Sequence, residues 1–572
     1  MGKNIVLCSD GTGNASVKGR GTNVWKLYEA IDFSLHRRAP DEGNPEGDRC
    51  EQIAFYDDGV GTSGFKPLKL MGGAFGYGLK RNVLDLYESL CRIYEPGDRI
   101  YLFGFSRGAY TVRFLAGLIS CCGIVDRARW DNLSELRRIS LRGYKSFRHH
   151  FHGLSRKENK KEEIEEKIET SLDNDNEDRE AKLRSNLNKM ERDIGSARKK
   201  AEKVTNSFFS DYSTGNGSIE IEFIGVWDTV AAIGLPVREL TSMLNKIIPF
   251  QFPDRLLGEN IKKGCHALSI DDERNSFHPI LWEETEKDRA SGRIEQVWFP
   301  GVHSNVGGGY PKQGISLVTL DWMMAKADEA GLRFFKSERS RYQSAQNCHD
   351  WHYDSRKGKG VYYRYKPRGI KQICEDANSI PPKIHVSTLE RIASATQGYA
   401  PIVIPDEFVI VNYDSRLEER DEKKIELLTD GLQCSAVYTS VENFIRFRRY
   451  SWSIFLTLTA GVLAYGTWYS NNPESSSVSK GKWVPDSVIA FLEKIAEEVP
   501  WIGGRVKDLL DPFFLSWQYS LAVAVTVALV SAVTIWSRRM IHKEASRFWR
   551  KQIYMPWTSL LATFGGEDSN DD

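Results

Sequence analysis

Ser106 stands inside Gly104-Phe105-Ser106-Arg107-Gly108, a G-x-S-x-G string. The apolar run Ile100 to Phe105 precedes it, and Val112, Leu115 and Leu118 follow at helical spacing. Strand, tight turn and helix in that order hold a serine hydroxyl exposed on a strained backbone. Glycines on both sides keep Cβ atoms out of the crowded turn. Serine is a weak nucleophile until a histidine takes its proton, and that histidine needs an acceptor on its other ring nitrogen. The chain offers both groups at the ends of strand-like runs. Asp228 follows Glu220 to Trp227, and His303 follows Gln296 to Phe299 in the glycine-rich string Gly301 to Tyr310. The chemistry this set can do is acyl transfer from an ester to water through an acyl-serine. His266 and His278, which flank Asp271-Asp272-Glu273-Arg274, are competing bases, and Asp271 or Asp272 a competing acid. A loop rich in glycine directly after a strand favours His303. For the oxyanion, the Arg107 N–H opens a helix, and Gly11 or Thr12 lies in the turn Ser9 to Asn14 after the first strand. Asp10 and Asn305 are candidate supporting residues.

The elements needed to position these groups are legible around them. Asn4 to Cys8 and Gln52 to Tyr56 read as strands, Asn82 to Tyr94 as a helix, and Gly72 to Gly78 as a loop near the cleft mouth. Strands alternating with helices imply an α/β fold with a mostly parallel sheet flanked by helices. Active groups in such sheets gather at the carboxyl ends of the strands.

The chain has 572 residues and therefore more than one domain, and its net charge of +1 carries no nucleic-acid signature. Nine scattered cysteines with no C-x-x-C pair fit reduced thiols better than disulfides or zinc. No metal or cofactor is called for. Residues 155–205 are dominated by charge, with Ile164, Ile168 and Leu172, then Leu183, Leu187, Met190 and Ile194, at steps of three and four. That spacing predicts a charged helical hairpin inserted in the core, either a solvated strut or an arm for a second copy or another protein.

Six strings in order resemble one family: Ser-Asp-Gly-Thr-Gly-Asn (9–14), Tyr-Asp-Asp-Gly-Val-Gly-Thr (56–62), Gly-Phe-Ser-Arg-Gly-Ala-Tyr (104–110), Val-Trp-Asp-Thr-Val (226–230), His-Ala-Leu-Ser-Ile-Asp-Asp-Glu-Arg (266–274) and the run Trp298 to Tyr310. They look like the α/β-hydrolase family that includes the first class of type VI secretion lipase effectors. The resemblance runs from about residue 3 to about 410, the charged insertion aside. It implies a phospholipase with a Ser-Asp-His triad, carried onto Ser106, Asp228 and His303. In that family the histidine motif usually reads His-Ser-Asp-Val-Gly-Gly-Gly-Tyr; here Asn305 replaces the aspartate, keeping the shape and losing the charge. Two other readings stay open: a hydrolase of non-lipid esters or thioesters at a membrane, and an inactive hydrolase fold serving as a membrane scaffold or sensor.

Past Tyr413 the composition changes. Trp452 to Tyr469 and Phe514 to Trp536 are apolar runs read as two transmembrane helices, with an amphipathic helix, Asp486 to Val499, between them. Arg446, Arg448 and Arg449 precede the first run, and Arg538, Arg539, Lys543, Arg547, Arg550 and Lys551 follow the second. The positive-inside rule then places the hydrolase and both ends in the cytoplasm, against the phospholipid bilayer. The expected division is 1–153 and 207–440 for the hydrolase core, 154–206 for the insertion, 441–551 for the membrane hairpin and 552–572 for a cytoplasmic tail.

Overall fold

A computed structural model describes residues 2–11, 21–34, 51–59, 73–148, 164, 183–196, 199, 219–230, 255–412, 434–471 and 517–554. Its centre is one parallel sheet of eight strands in the order β2-β1-β3-β4-β5-β6-β7-β8. The strands are β1 (Asn4–Ser9), β2 (Gln52–Asp57), β3 (Arg99–Phe105), β4 (Ile221–Trp227), β5 (Ile261–Ser269), β6 (Ile294–Phe299), β7 (Lys383–His385) and β8 (Val409–Val411). β1, β3, β4 and β6 are buried almost throughout, as expected of strands covered on both faces. Alternation then divides their side chains. Ile5, Leu7, Ile100 and Leu102 pack with helices α2 (Gly73–Ile93) and α3 (Arg107–Cys122). Val6, Cys8, Tyr101 and Phe103 pack on the other side with α1 (Asn23–Ala30) and, beyond α4 (His303–Gly307), with α5 (Gly314–Glu329).

The sheet order reverses between β1 and β3. In an open parallel sheet such a reversal leaves a crevice beyond the strand ends, and the turn carrying Ser106 opens there.

Several expectations are corrected in detail. The glycine-rich patch read as a loop is, from Gly73 onward, the first turns of α2. Propagating a helix already formed over Leu79 to Ile93 adds one hydrogen bond per residue, which tolerates the ~1 kcal/mol that each glycine costs. His266 is a core position, inside β5, where it pairs in register with Val226 and Gln296. Of the charged insertion, 183–196 is one helix, and Leu183, Leu187, Met190 and Ile194 form its half-buried edge. The turn at 173–176 and most of the first arm lie outside the described residues.

The C-terminal region holds two long helices, α6 (Ser435–Asn471) and α7 (Trp517–Trp549). They pack as a hairpin, with Phe444 and Phe447 against Trp536 and Ser451 3.2 Å from Thr534. Two membrane spans were expected; among the described residues one helical stretch, Ala524–Ile553, is long and apolar enough to cross a membrane. The described part of α6 carries Glu442, Arg446, Arg448 and Arg449, which lowers its apolar character. Helix bases and body share cores: Val437, Val441, Ile445, Ile541 and Ala545 surround Tyr365, and Trp549 and Ile553 pack with Ile384 and Val386 of the β7 region. Farther from the body, Ile454, Leu521, Val525 and Leu529 are exposed. The amphipathic segment expected at 486–499 and residues 514–516 fall outside the described residues.

Candidate active site

The turn after β3 holds Ser106 at φ 58°, ψ −120°, a conformation that non-glycine residues reach at a cost. Close packing imposes it. A Cβ on Gly104 would stand 2.6 Å from the Gly108 carbonyl oxygen, and one on Gly108 would stand 2.1 Å from the Ser9 carbonyl oxygen at the end of β1. Both glycines of the string are therefore required by contact. The Ser106 N–H donates to the Trp227 carbonyl at 3.0 Å, tying the turn to the end of β4.

Asp228 follows directly on β4, also with positive φ (41°), and is fully buried. His303 opens α4 after β6. Its Nδ1 lies 2.6 Å from Asp228 Oδ2 and its Nε2 2.8 Å from Ser106 Oγ. The three side chains expected from the sequence thus meet. Phe105 lies against the imidazole at 4.7 Å between ring centres, and Phe277 is edge-on to it at 5.1 Å. Burial lowers the His303 pKa below its ordinary value, against the raising effect of Asp228, so the ring is neutral at pH 7 and free to accept a proton.

Sequence reasoning missed Arg368. Its side chain is fully buried, with Nη1 2.6 Å from Asp228 Oδ1 and Nη2 2.9 Å from Oδ2. Burial alone would push the Asp228 carboxyl up, but Arg368 and His303 hold it well below the usual range. Arg368 sits in Tyr365-Lys366-Pro367-Arg368-Gly369, where neither apolar period nor motif marks it.

The competing groups have other partners. His266 accepts the Thr229 N–H at 3.1 Å, and burial drives its pKa down to about 3. His278 Nε2 is 3.1 Å from the Lys366 carbonyl, and burial lowers its pKa to about 4. Asp271 accepts the Gly301 N–H at 2.6 Å and the Tyr399 hydroxyl at 2.9 Å. Asp272 is paired with Arg274 at 2.7 Å and accepts the His303 N–H at 3.2 Å. Both aspartates hold the backbone of the histidine loop rather than the imidazole.

Of the residues expected to face an oxyanion, Arg107 begins α3, and desolvation pushes its half-buried guanidinium down to about 10. The Gly11 N–H, expected as an oxyanion donor, is instead engaged by Asp10 Oδ1 at 2.6 Å, and Thr12 lies outside the described residues. Asp10 also accepts from the Thr22 and Tyr56 hydroxyls, each at 2.6 Å, and burial raises its pKa to about 6. Asn305 Oδ1 accepts the Val302 and Tyr353 N–H groups at 3.3 Å, while its Nδ2 donates to the Trp351 carbonyl at 3.2 Å. A carboxylate could accept the first two bonds but not make the third.

Residues 3–326 match the family model described as the type VI secretion phospholipase effector Tle1-like catalytic domain. An uncharacterized protein of Saccharomyces cerevisiae is 26% identical over 294 residues, 49% of this chain and 33% of that protein. Among solved structures, an uncharacterized protein from Pseudomonas aeruginosa aligns at 18% identity and TM-score 0.30, over 60% of this chain and 48% of that one. The Tle1 effector bound to the VgrG spike of a type 6 secretion system aligns at 17% identity and TM-score 0.27, over 54% and 51%. This chain thus spans about a third of its curated relative and about half of each solved chain.

Proposed function

The chain belongs to the Tle1-like family of type VI secretion phospholipase effector catalytic domains, matched over more than half its length, and from that premise we propose that it is a membrane-tethered serine phospholipase. Ser106 attacks the ester carbonyl of a phospholipid while His303 Nε2 takes the hydroxyl proton. Asp228 holds the other ring nitrogen and stabilises the imidazolium. The N–H of Arg107, with one from Thr12, receives the oxyanion, because the Gly11 N–H is taken up by Asp10 Oδ1. His303 then gives its proton to the leaving alcohol, and water, activated by the same ring, releases the fatty acid. The observation that carries this reading is the run of contacts Ser106–His303–Asp228, 2.8 Å and 2.6 Å, at a serine held at positive φ.

The α6–α7 hairpin is the tether in this reading: its exposed apolar flanks enter the bilayer, and Arg538 and Arg539 mark the cytoplasmic edge. The hydrolase core then comprises 1–153 and 207–440, acting on the cytoplasmic leaflet, with 154–206 as an arm and 441–551 as the membrane unit. The test is lipid analysis of cells expressing the wild type or Ser106→Ala. Free fatty acid and lysophospholipid are expected to accumulate with the wild type alone; equal lipid profiles would remove the assignment. Vesicles and short-chain soluble esters compared as substrates separate a lipase from a general esterase.

A further inference from the structure

We propose that Arg368 is a positioning residue for the hydrolytic reaction, its guanidinium holding the Asp228 carboxylate against His303 Nδ1. The inference rests on the Ser106–His303–Asp228 reading and extends it by one residue.

Asp228 is placed by a crowded set of donors. Oδ1 accepts the Ser269 N–H at 3.0 Å and Arg368 Nη1 at 2.6 Å; Oδ2 faces the Ser269 hydroxyl, Arg368 Nη2 and the imidazole. Arg368 is fixed in turn by the Ser269 and Phe277 carbonyls, each 2.5 Å away. Its planar fork therefore engages both carboxylate oxygens, including the one that binds His303, which a point charge could not do as well.

The backbone that carries Arg368 is also specified. Residues 364–366 run against 273–275: the Asn275 N–H donates to the Arg364 carbonyl, the Lys366 N–H donates to the Glu273 carbonyl, and Arg274 and Tyr365 form an antiparallel bridge. Arg274 holds Asp272, which accepts the His303 N–H. One short pairing of segments thus supplies two arginines, one gripping the acid beneath the imidazole and the other gripping, through Asp272, the backbone above it. The charged groups bearing on His303 are Asp228, Asp272 and Arg274, with Arg368 acting through Asp228.

An ion pair that served folding alone would change stability when cut and leave the proton transfer of the surviving enzyme unaltered. A positioning arginine changes both rate and pH dependence. Without it, burial drives Asp228 toward its neutral form, so the acid limb of kcat/KM moves to higher pH.

The experiment compares wild type with Arg368→Gln and Arg368→Lys in the full chain. It measures kcat and KM on phospholipid vesicles, the pH-dependent rate of Ser106 labelling by a fluorophosphonate, and thermal melting. Arg368→Gln is expected to lose about 10²-fold or more in kcat and labelling rate, with KM changed less than about twofold and the acid limb raised by about one unit. Arg368→Lys is expected to keep the acid limb near its wild-type place and lose about tenfold in rate, because the charge remains and the fork does not. A folded Arg368→Gln with wild-type kcat and acid limb would overturn the proposal. Should the Gln variant not fold, Arg368→Lys at full wild-type rate would overturn it. Unlabelled Ser106 in active wild type, or full activity in Ser106→Ala, would instead strike the triad reading and take this proposal with it.

Discussion

At the scale of single residues, the site is built from groups whose neighbours decide what they do. Replacing Asp228 by Asn keeps the shape but offers the imidazole an amide, and a fall of about 10⁴-fold in kcat is expected with KM little changed, read by steady-state kinetics. His303 must be neutral to act, and its pKa lies below the ordinary value. Hydrolysis is therefore expected to persist to lower pH than an unperturbed histidine would allow, with kcat/KM falling only as the pH drops through that lowered value. Asp228 moves stability in the same direction with pH. Its folded-state pKa is depressed, so its contribution is present above the unfolded value and is lost only in strong acid, as the pH falls through the folded one. Cutting the buried pair at Arg368 strands a carboxylate and is expected to cost about 3–5 kcal/mol, visible as a lowered melting midpoint. Asn305→Asp trades the bond to the Trp351 carbonyl for repulsion.

Much of this was legible from residue types alone. Serine, aspartate and histidine could be read because each ends an apolar run, and a side chain at the end of a buried strand has few places to point. Arg368 could not be read: it reaches Asp228 from 140 positions away, out of a segment with no periodicity.

At the scale of elements, the elbow depends on β1 as much as on β3. Gly108→Ala would drive a methyl into the Ser9 carbonyl, and the turn would have to open to admit it. The expected result is loss of fluorophosphonate labelling at Ser106 together with a lower melting temperature. The strands of the first half announced themselves as short apolar runs, but β5 was hidden by Lys262, Lys263 and Gly264 at its start, and β7 and β8 are only three residues each. Such short strands hold their place through sheet neighbours and not through local preference. The start of α2 was missed for the opposite reason, since glycines mask a helix that its downstream half enforces. The edge of the 183–196 helix followed its spacing of three and four. On α7, Leu529 is well exposed amid an apolar stretch. Leu529→Arg is expected to cost about 2.5–3.5 kcal/mol of insertion and to release the protein from the membrane fraction in a flotation assay.

At the scale of the whole molecule, body and hairpin are joined by specific contacts rather than by a bare linker. Arg538 is 2.5 Å from Asp354, Arg448 is 3.2 Å from Glu273, and the Trp452 indole donates to the Tyr362 carbonyl. Glu273 neighbours Arg274, whose grip on Asp272 reaches the histidine loop. Arg448→Ala is therefore expected to lower kcat severalfold while leaving vesicle binding unchanged, a split that flotation and turnover on the same preparation would read.

The packing of Trp549 and Ile553 against the strands that follow His303 has a consequence for synthesis. A ribosome making this chain places the serine, the acid and the histidine in turn, yet the surface beside β7 stays uncovered until the end of α7 emerges. By then, in the reading proposed above, the hairpin is already entering the bilayer. On that reading the chain completes its core only at the membrane, and a nascent chain released early carries Ser106 on an unfinished scaffold.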